Sequence, residues 1–162
     1  MKIQIAREDL LTALQRVQGV VEKRNTMPIL ANILLEAKPE GLDIVATDLE
    51  IGMRGLYKAT VQEPGSVTFS ARTLFDILKE IRHSDIELVV GENNWVTVKA
   101  GKSQFRVMGL PSKDYPALPA IEREGLMALP AQGLLQLLKK TVFAVGEKDT
   151  RYVLNGLLMT LI

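Results

Sequence analysis

The stretch "AGKS" at residues 100–103 holds the residue types that cradle a phosphate in nucleotide-binding loops. Such a loop needs an earlier glycine five positions before the Gly-Lys pair, and it must lie between a strand and a helix. Here that position is Val96, and apolar alternation continues on both sides of Gly101, so the stretch reads as a hairpin turn. Asp48 and Glu50 in "TDLE" are the types that hold a metal or relay a proton. On a strand, residues two apart merely share a face, and no further ligands converge on this pair. His83 is the sole histidine and follows a helical pattern beside Arg82 and Ser84, with no second His or Cys to work with. The chain has no cysteine, which excludes disulfides, thiolate nucleophiles and Cys-based zinc sites. Trp95 and Phe105 fall on strand patterns and read as packing residues. Nothing assembles a catalytic centre, and no cofactor is called for.

Basic residues in a repeated phrase point elsewhere. "VVEKRNTMPILANILLE" at 20–36 and "AVGEKDTRYVLNGLLMT" at 144–160 match without a gap at Val21/Val145, Thr26/Thr150, Leu30/Leu154 and Leu34/Leu158. Lys148 falls opposite Arg24. The elements that must carry these phrases repeat as well. Ile3 and Ile5 precede Leu10, Leu11, Leu14 and Val17; Val67 and Phe69 precede Leu74, Phe75, Leu78 and Ile81; Met127 and Leu129 precede Leu134, Leu135 and Leu138. Each copy passes from the two-residue period of a strand to the face of an amphipathic helix.

Between the helical patterns lie further strand patterns at Ile29–Ala37, Leu42–Thr47, Ile51–Gln62, Ser66–Ser70, Ile86–Val90, Trp95–Ala100 and Ser103–Met108. "KPEG", "EPG", "GENN" and "AGK" punctuate them as turns. The order is a duplicated β-α-β-β-β unit, which predicts an α+β fold with two helices packed on antiparallel sheets. Residues 110–125 hold Pro111, Pro116 and Pro119 and read as an extended linker. The expected division is a first domain over 1–120 and the start of a second over 121–162. The ending "LLMTLI" is an apolar strand pattern without a turn, which reads as a truncated piece of a longer protein.

The 162 residues are 47% apolar and 24% charged, ordinary values for a globular protein. No apolar run reaches the roughly 20 residues needed to span a membrane, and charges interrupt the start before any signal-peptide core develops. A cytoplasmic protein with no membrane partner is expected. The formal charge of +1 is far from the basic balance of a dedicated nucleic-acid-binding domain. Any such contact must come from segregated basic residues, or from an assembly that concentrates them.

Five phrases, "MPILANILLE", "TDLEIGM", "SARTLFDILKEI", "GLPSKDYPALP" and "DTRYVLNGLLM", together resemble the bacterial sliding clamps, the beta subunits of DNA polymerase III. The likeness runs the length of the chain, in the expected order. It implies the DNA-clamp fold, a head-to-tail homodimeric ring with helices lining the hole, and a non-catalytic role as processivity factor on double-stranded DNA. The implied partners are a second clamp subunit, the polymerase III catalytic subunit, the clamp loader and other clamp-binding peptides. Carried over residue by residue, the resemblance implies DNA contacts from Lys23, Arg24, Arg72, Lys148, Arg151 and Tyr152. The second aromatic that often follows the tyrosine in this family is Val153 here. The ring interface is implied at Ile77, Ile81, Phe105 and Val107, and part of a partner-peptide groove at Arg151 and Leu154. A clamp-fold interaction scaffold without DNA binding is the competing expectation.

Overall fold

In the computed structural model, Ile3 and Ile5, like Val67 and Phe69, point inward from two strands and are at most 2% exposed. Residues 1–21, 27–119, 127–146 and 150–160 are described, Tyr152 by its backbone alone. The chain divides into two compact units, Met1–Pro119 and Ala120–Ile162.

The first unit runs β1 (Lys2–Ala6), α1 (Arg7–Val17), β2 (Asn32–Lys38), β3 (Gly41–Thr47), β4 (Gly52–Tyr57) and β5 (Ala59–Glu63). It then repeats the order with β6 (Gly65–Ser70), α2 (Ala71–Glu80), β7 (Asp85–Val90), β8 (Trp95–Ala100) and β9 (Ser103–Met108). Two antiparallel sheets result, ordered β5-β1-β7-β8-β9 and β4-β3-β2-β6. Each half therefore lends its first strand to the other half's meander. A β1 that leaves to pair with β7, and a β6 that leaves to pair with β2, tie the halves into one core. Leu10, Ala13, Leu14 and Val17 of α1 and Leu74 and Leu78 of α2 close that core from the helical side.

Three strand expectations needed correction. The apolar run Ile29–Ala37 opens with a 3-10 turn, Pro28–Ala31, before β2 starts, because proline fixes a turn-compatible φ and has no N–H for a ladder. Ile51–Gln62 is not one strand but β4 and β5, which belong to different sheets; the chain breaks at Lys58 so that β5 can pair with β1. Met127 and Leu129 form no strand, nor do residues 157–160. In the first unit β1 is held by β5 and β7 from later in the chain; the described second unit contains α3 (Ala131–Thr141) and short 3-10 turns but no strands to play that part. A lone extended segment has no ladder to satisfy its backbone.

Residues 110–119 are no free linker either. Leu110 and Thr68 exchange backbone hydrogen bonds of 3.0 and 3.1 Å. This bridge is the repeat of the Gln4–Thr60 pair of β1 and β5, since Thr68 lies 64 residues after Gln4. The segment then crosses the outer face of the four-stranded sheet. Leu118 lies so close to Gly52 that a Cβ there would stand 2.6 Å from its Cδ2. Tyr115 is 6% exposed. Its hydroxyl accepts from Thr47 N–H at 3.2 Å and donates to Asn32 O at 3.1 Å, so it stands in the ladder where β2 and β3 splay. Tyr115→Phe should therefore lower the stability of the first unit by about 1–3 kcal/mol, since it leaves a buried N–H unpaired. Urea denaturation would measure this, and a midpoint equal to that of the parent would contradict the hydroxyl's place in the ladder.

On the same face Asp43 is 3% exposed. Burial works against its charge, but hydrogen bonds from Arg54 Nε at 2.8 Å and Lys38 Nζ at 3.1 Å outweigh it and hold the carboxyl below its ordinary pKa.

Candidate nucleic-acid interface

Helix α2 begins well because Ser70 Oγ accepts from Thr73 N–H at 3.2 Å. The matching position before α1 is Ala6, which has no oxygen to offer; there Arg7 N–H donates to Ser84 O at 2.7 Å instead. Arg7 also reaches across the pair, its Nε donating to Leu78 O at 2.8 Å in the last turn of α2. A cation there meets the negative end of the helix. Sequence reading missed this brace, because its partner lies 71 residues away.

The outer surfaces of the two helices are mixed in charge. Their exposed ionisable residues are Arg16, Arg72 and Lys79 against Glu8, Asp9, Asp76 and Glu80, three basic to four acidic. Arg72 is 75% exposed and lies 3.8 Å from Asp76, one turn on. The helix pair alone therefore makes no positive surface. The loop expectations at Lys23, Arg24 and Lys148 fall outside the described residues. In the second unit Arg151 is exposed, the backbone of Tyr152 opens a 3-10 turn, Tyr152–Asn155, and Leu154 is 40% exposed. Val153, standing where the resemblance expects an aromatic, is 85% exposed.

The proposed ring-interface residues separate into two groups. Ile81 is 4% exposed and belongs to the core of its own unit, so it is withdrawn from the surface. Ile77 is half-buried on α2, where the helix meets the core's rim. Phe105 and Val107 lie opposite the fully buried Val98 and Val96 and share their core-facing side. Because β9 ends its sheet, both remain partly open. Phe75 is a fourth rim residue, half-buried and with Lys79 Nζ 5.4 Å from its ring centroid. The helical pattern assigns Phe75 to the core, and it packs against that core while staying partly exposed.

Gly101, at φ 57°, and Lys102 turn tightly from β8 into β9. Asp48 and Glu50 are not on a strand but in the turn from β3 to β4, where Leu49 takes a left-handed φ of 78°. Asp48 Oδ1 accepts from Ile51 N–H at 2.6 Å and Glu50 N–H at 2.9 Å, which makes it a turn former. Among the described residues, no group of three His, Cys, Asp or Glu side chains could hold a metal ion.

Residues 1–119, the whole of the first unit, match the family model for the N-terminal domain of the DNA polymerase III beta subunit. The chain belongs to the DNA polymerase III beta subunit family. It is 39% identical over 159 residues to the beta sliding clamp of Caulobacter vibrioides, covering 97% of this chain and 43% of that protein. The crystal structure of the DNA polymerase sliding clamp from Bacillus subtilis superposes with a TM-score of 0.88 at 30% identity, over 94% of this chain and 42% of the other. The Caulobacter crescentus sliding clamp does so with a TM-score of 0.84 at 38% identity, over 96% and 43%. The chain thus spans a little over two fifths of the length of these beta subunit relatives. The clamp fold accounts for the exchanged first strands and for the helices gathered on one side of the sheets.

Proposed function

We propose that this chain forms part of a DNA sliding clamp subunit, a non-catalytic processivity factor that encircles double-stranded DNA and tethers the replicative polymerase. The observation that carries this reading is the match of the duplicated β-α-β-β-β unit, over its full extent, to the beta subunit N-terminal domain. A ring that must slide needs sparse phosphate contacts without base readout. The mixed charge of the helix pair agrees with that need; in this reading the attraction to phosphates falls to Lys23, Arg24, Lys148, Arg151 and Tyr152, with Arg72 on the helix. Head-to-tail pairing of two subunits would use the rim formed by Ile77, Phe105 and Val107. Arg151 and Leu154 would contribute to a groove for peptides of the polymerase III catalytic subunit, the clamp loader and other clamp-binding proteins. The setting of such a subunit is the cytoplasm; among the described residues, no helix is long and apolar enough to cross a membrane.

The test uses a subunit of the relatives' full length. Loaded on nicked circular DNA it should be retained, and it should be lost when the circle is cut. Neutralising Arg24 and Lys148 to alanine should weaken binding equally on different sequences. It should also flatten the slope of log K against log salt by up to ~1.8 per subunit, taking ~0.9 per lost contact on B-DNA. Equal retention on linear and circular DNA would refute the ring, and an unchanged slope would remove both residues from the DNA site.

A further inference from the structure

The chain's single tryptophan is not in its core. Trp95 is half-buried on the outer face of the five-stranded sheet, away from the helices, where it walls a cavity of about 460 Å³. Val89, Thr97 and Arg106 form one row across β7, β8 and β9 in the floor of that cavity. Arg106 lays its guanidinium over Trp95, with Cζ 4.6 Å from the ring. Two backbone hydrogen bonds hold the wall in place: Gly91 N–H to Trp95 O and Gly109 N–H to Asn94 O, each 2.9 Å.

Charge on this face is unevenly matched. Lys2 and Lys99 both pair with Glu87, each at 3.3 Å. Arg106 is exposed and has no carboxylate within ion-pair distance among the described residues. A guanidinium stacked on an aromatic ring keeps its in-plane N–H edge free, and that edge matches a carboxylate in fork geometry. Trp95 and Val89 offer apolar area beside it, and aromatic and arginine anchors in a preformed pocket are what docking sites use. Glu87 is already neutralised by the two lysines, and Glu92 in the pocket's lining disfavours a polyphosphate strand.

We propose that this pocket docks a short acidic peptide segment of a partner protein, its carboxylate in the fork of Arg106 and an adjoining apolar side chain against Trp95 and Val89. The site lies on the opposite side of the sheet from the helices and is independent of the DNA reading.

The lone tryptophan supplies the probe. A capped tetrapeptide carrying one glutamate beside a leucine, titrated into the chain, should change Trp95 emission saturably, with a Kd on the order of 1 mM. The same peptide with glutamine should bind roughly tenfold more weakly, because it loses the charge-assisted fork. Arg106→Gln should remove the difference between the two peptides, and Arg106→Lys should restore only part of it. Equal binding of the two peptides to the native chain would overturn the proposal, as would no saturable change. Tighter binding of a thymidine oligonucleotide than of the peptide would overturn it too. The comparison of peptides on the native chain stands whether or not a variant folds.

Discussion

A subunit of the relatives' full length carrying Ile77→Asp is expected to sediment as a folded monomer. Ile77 is half-buried on α2 and packs against the core of its own unit. A carboxylate there can still reach water in the monomer, so the unit should tolerate it. In a closed head-to-tail contact the same carboxylate would be enclosed without a partner, at about 3–5 kcal/mol per interface. That corresponds to at least roughly a hundredfold weaker association. Analytical ultracentrifugation over a range of concentrations gives the answer. An intact dimer would remove Ile77 from the ring interface. Loss of the folded state, followed by circular dichroism, would return it to the core alongside Ile81.

Phe69→Ala should destabilise the first unit by about 3–5 kcal/mol, and both of its halves should unfold together. Among the described residues Phe69 is the largest of the fully buried side chains. It sits on β6, the strand that the second half contributes to the sheet of the first, opposite Ile33. Truncation removes most of an aromatic side chain from a core contributed by both halves, and a packed interior relaxes only partly around such a cavity. Chemical denaturation monitored by hydrogen exchange separates the outcomes. Parallel loss of protection in β2–β4 and in β7–β9 is expected. Selective loss in one meander would mean that the halves are separately stable and that the strand exchange contributes little.

Much of this architecture was legible in residue order. The pairs Ile3/Ile5 and Val67/Phe69, each followed by a helical apolar face, declare strand-then-helix twice over, and their equal spacing declares the duplication. Those signals are local. Side-chain period depends only on backbone geometry, so each segment reports its own state. The five family phrases are local as well, and they sufficed for the family. The basic loops are nominated by the family resemblance, since by charge alone Lys23 and Arg24 read as an ordinary solvated loop.

What the tertiary structure alone decided is where segments go and what they meet. Nothing in "IQIA" or "VTFS" announces that β1 and β6 change places, because either sheet would bury the same apolar face. The resemblance offers Ile77 and Ile81 alike to the ring interface; the structure buries Ile81, as its helical period allows, and leaves Ile77 on the core's rim. The prolines of 110–119 read as a linker, although Tyr115 bonds to Thr47 and Asn32 from far along the chain. Trp95 read as packing, and it is Arg106, from the neighbouring strand, that makes it a wall. Burial and partnership are sums over residues distant in sequence, so only the assembled sheets can assign them.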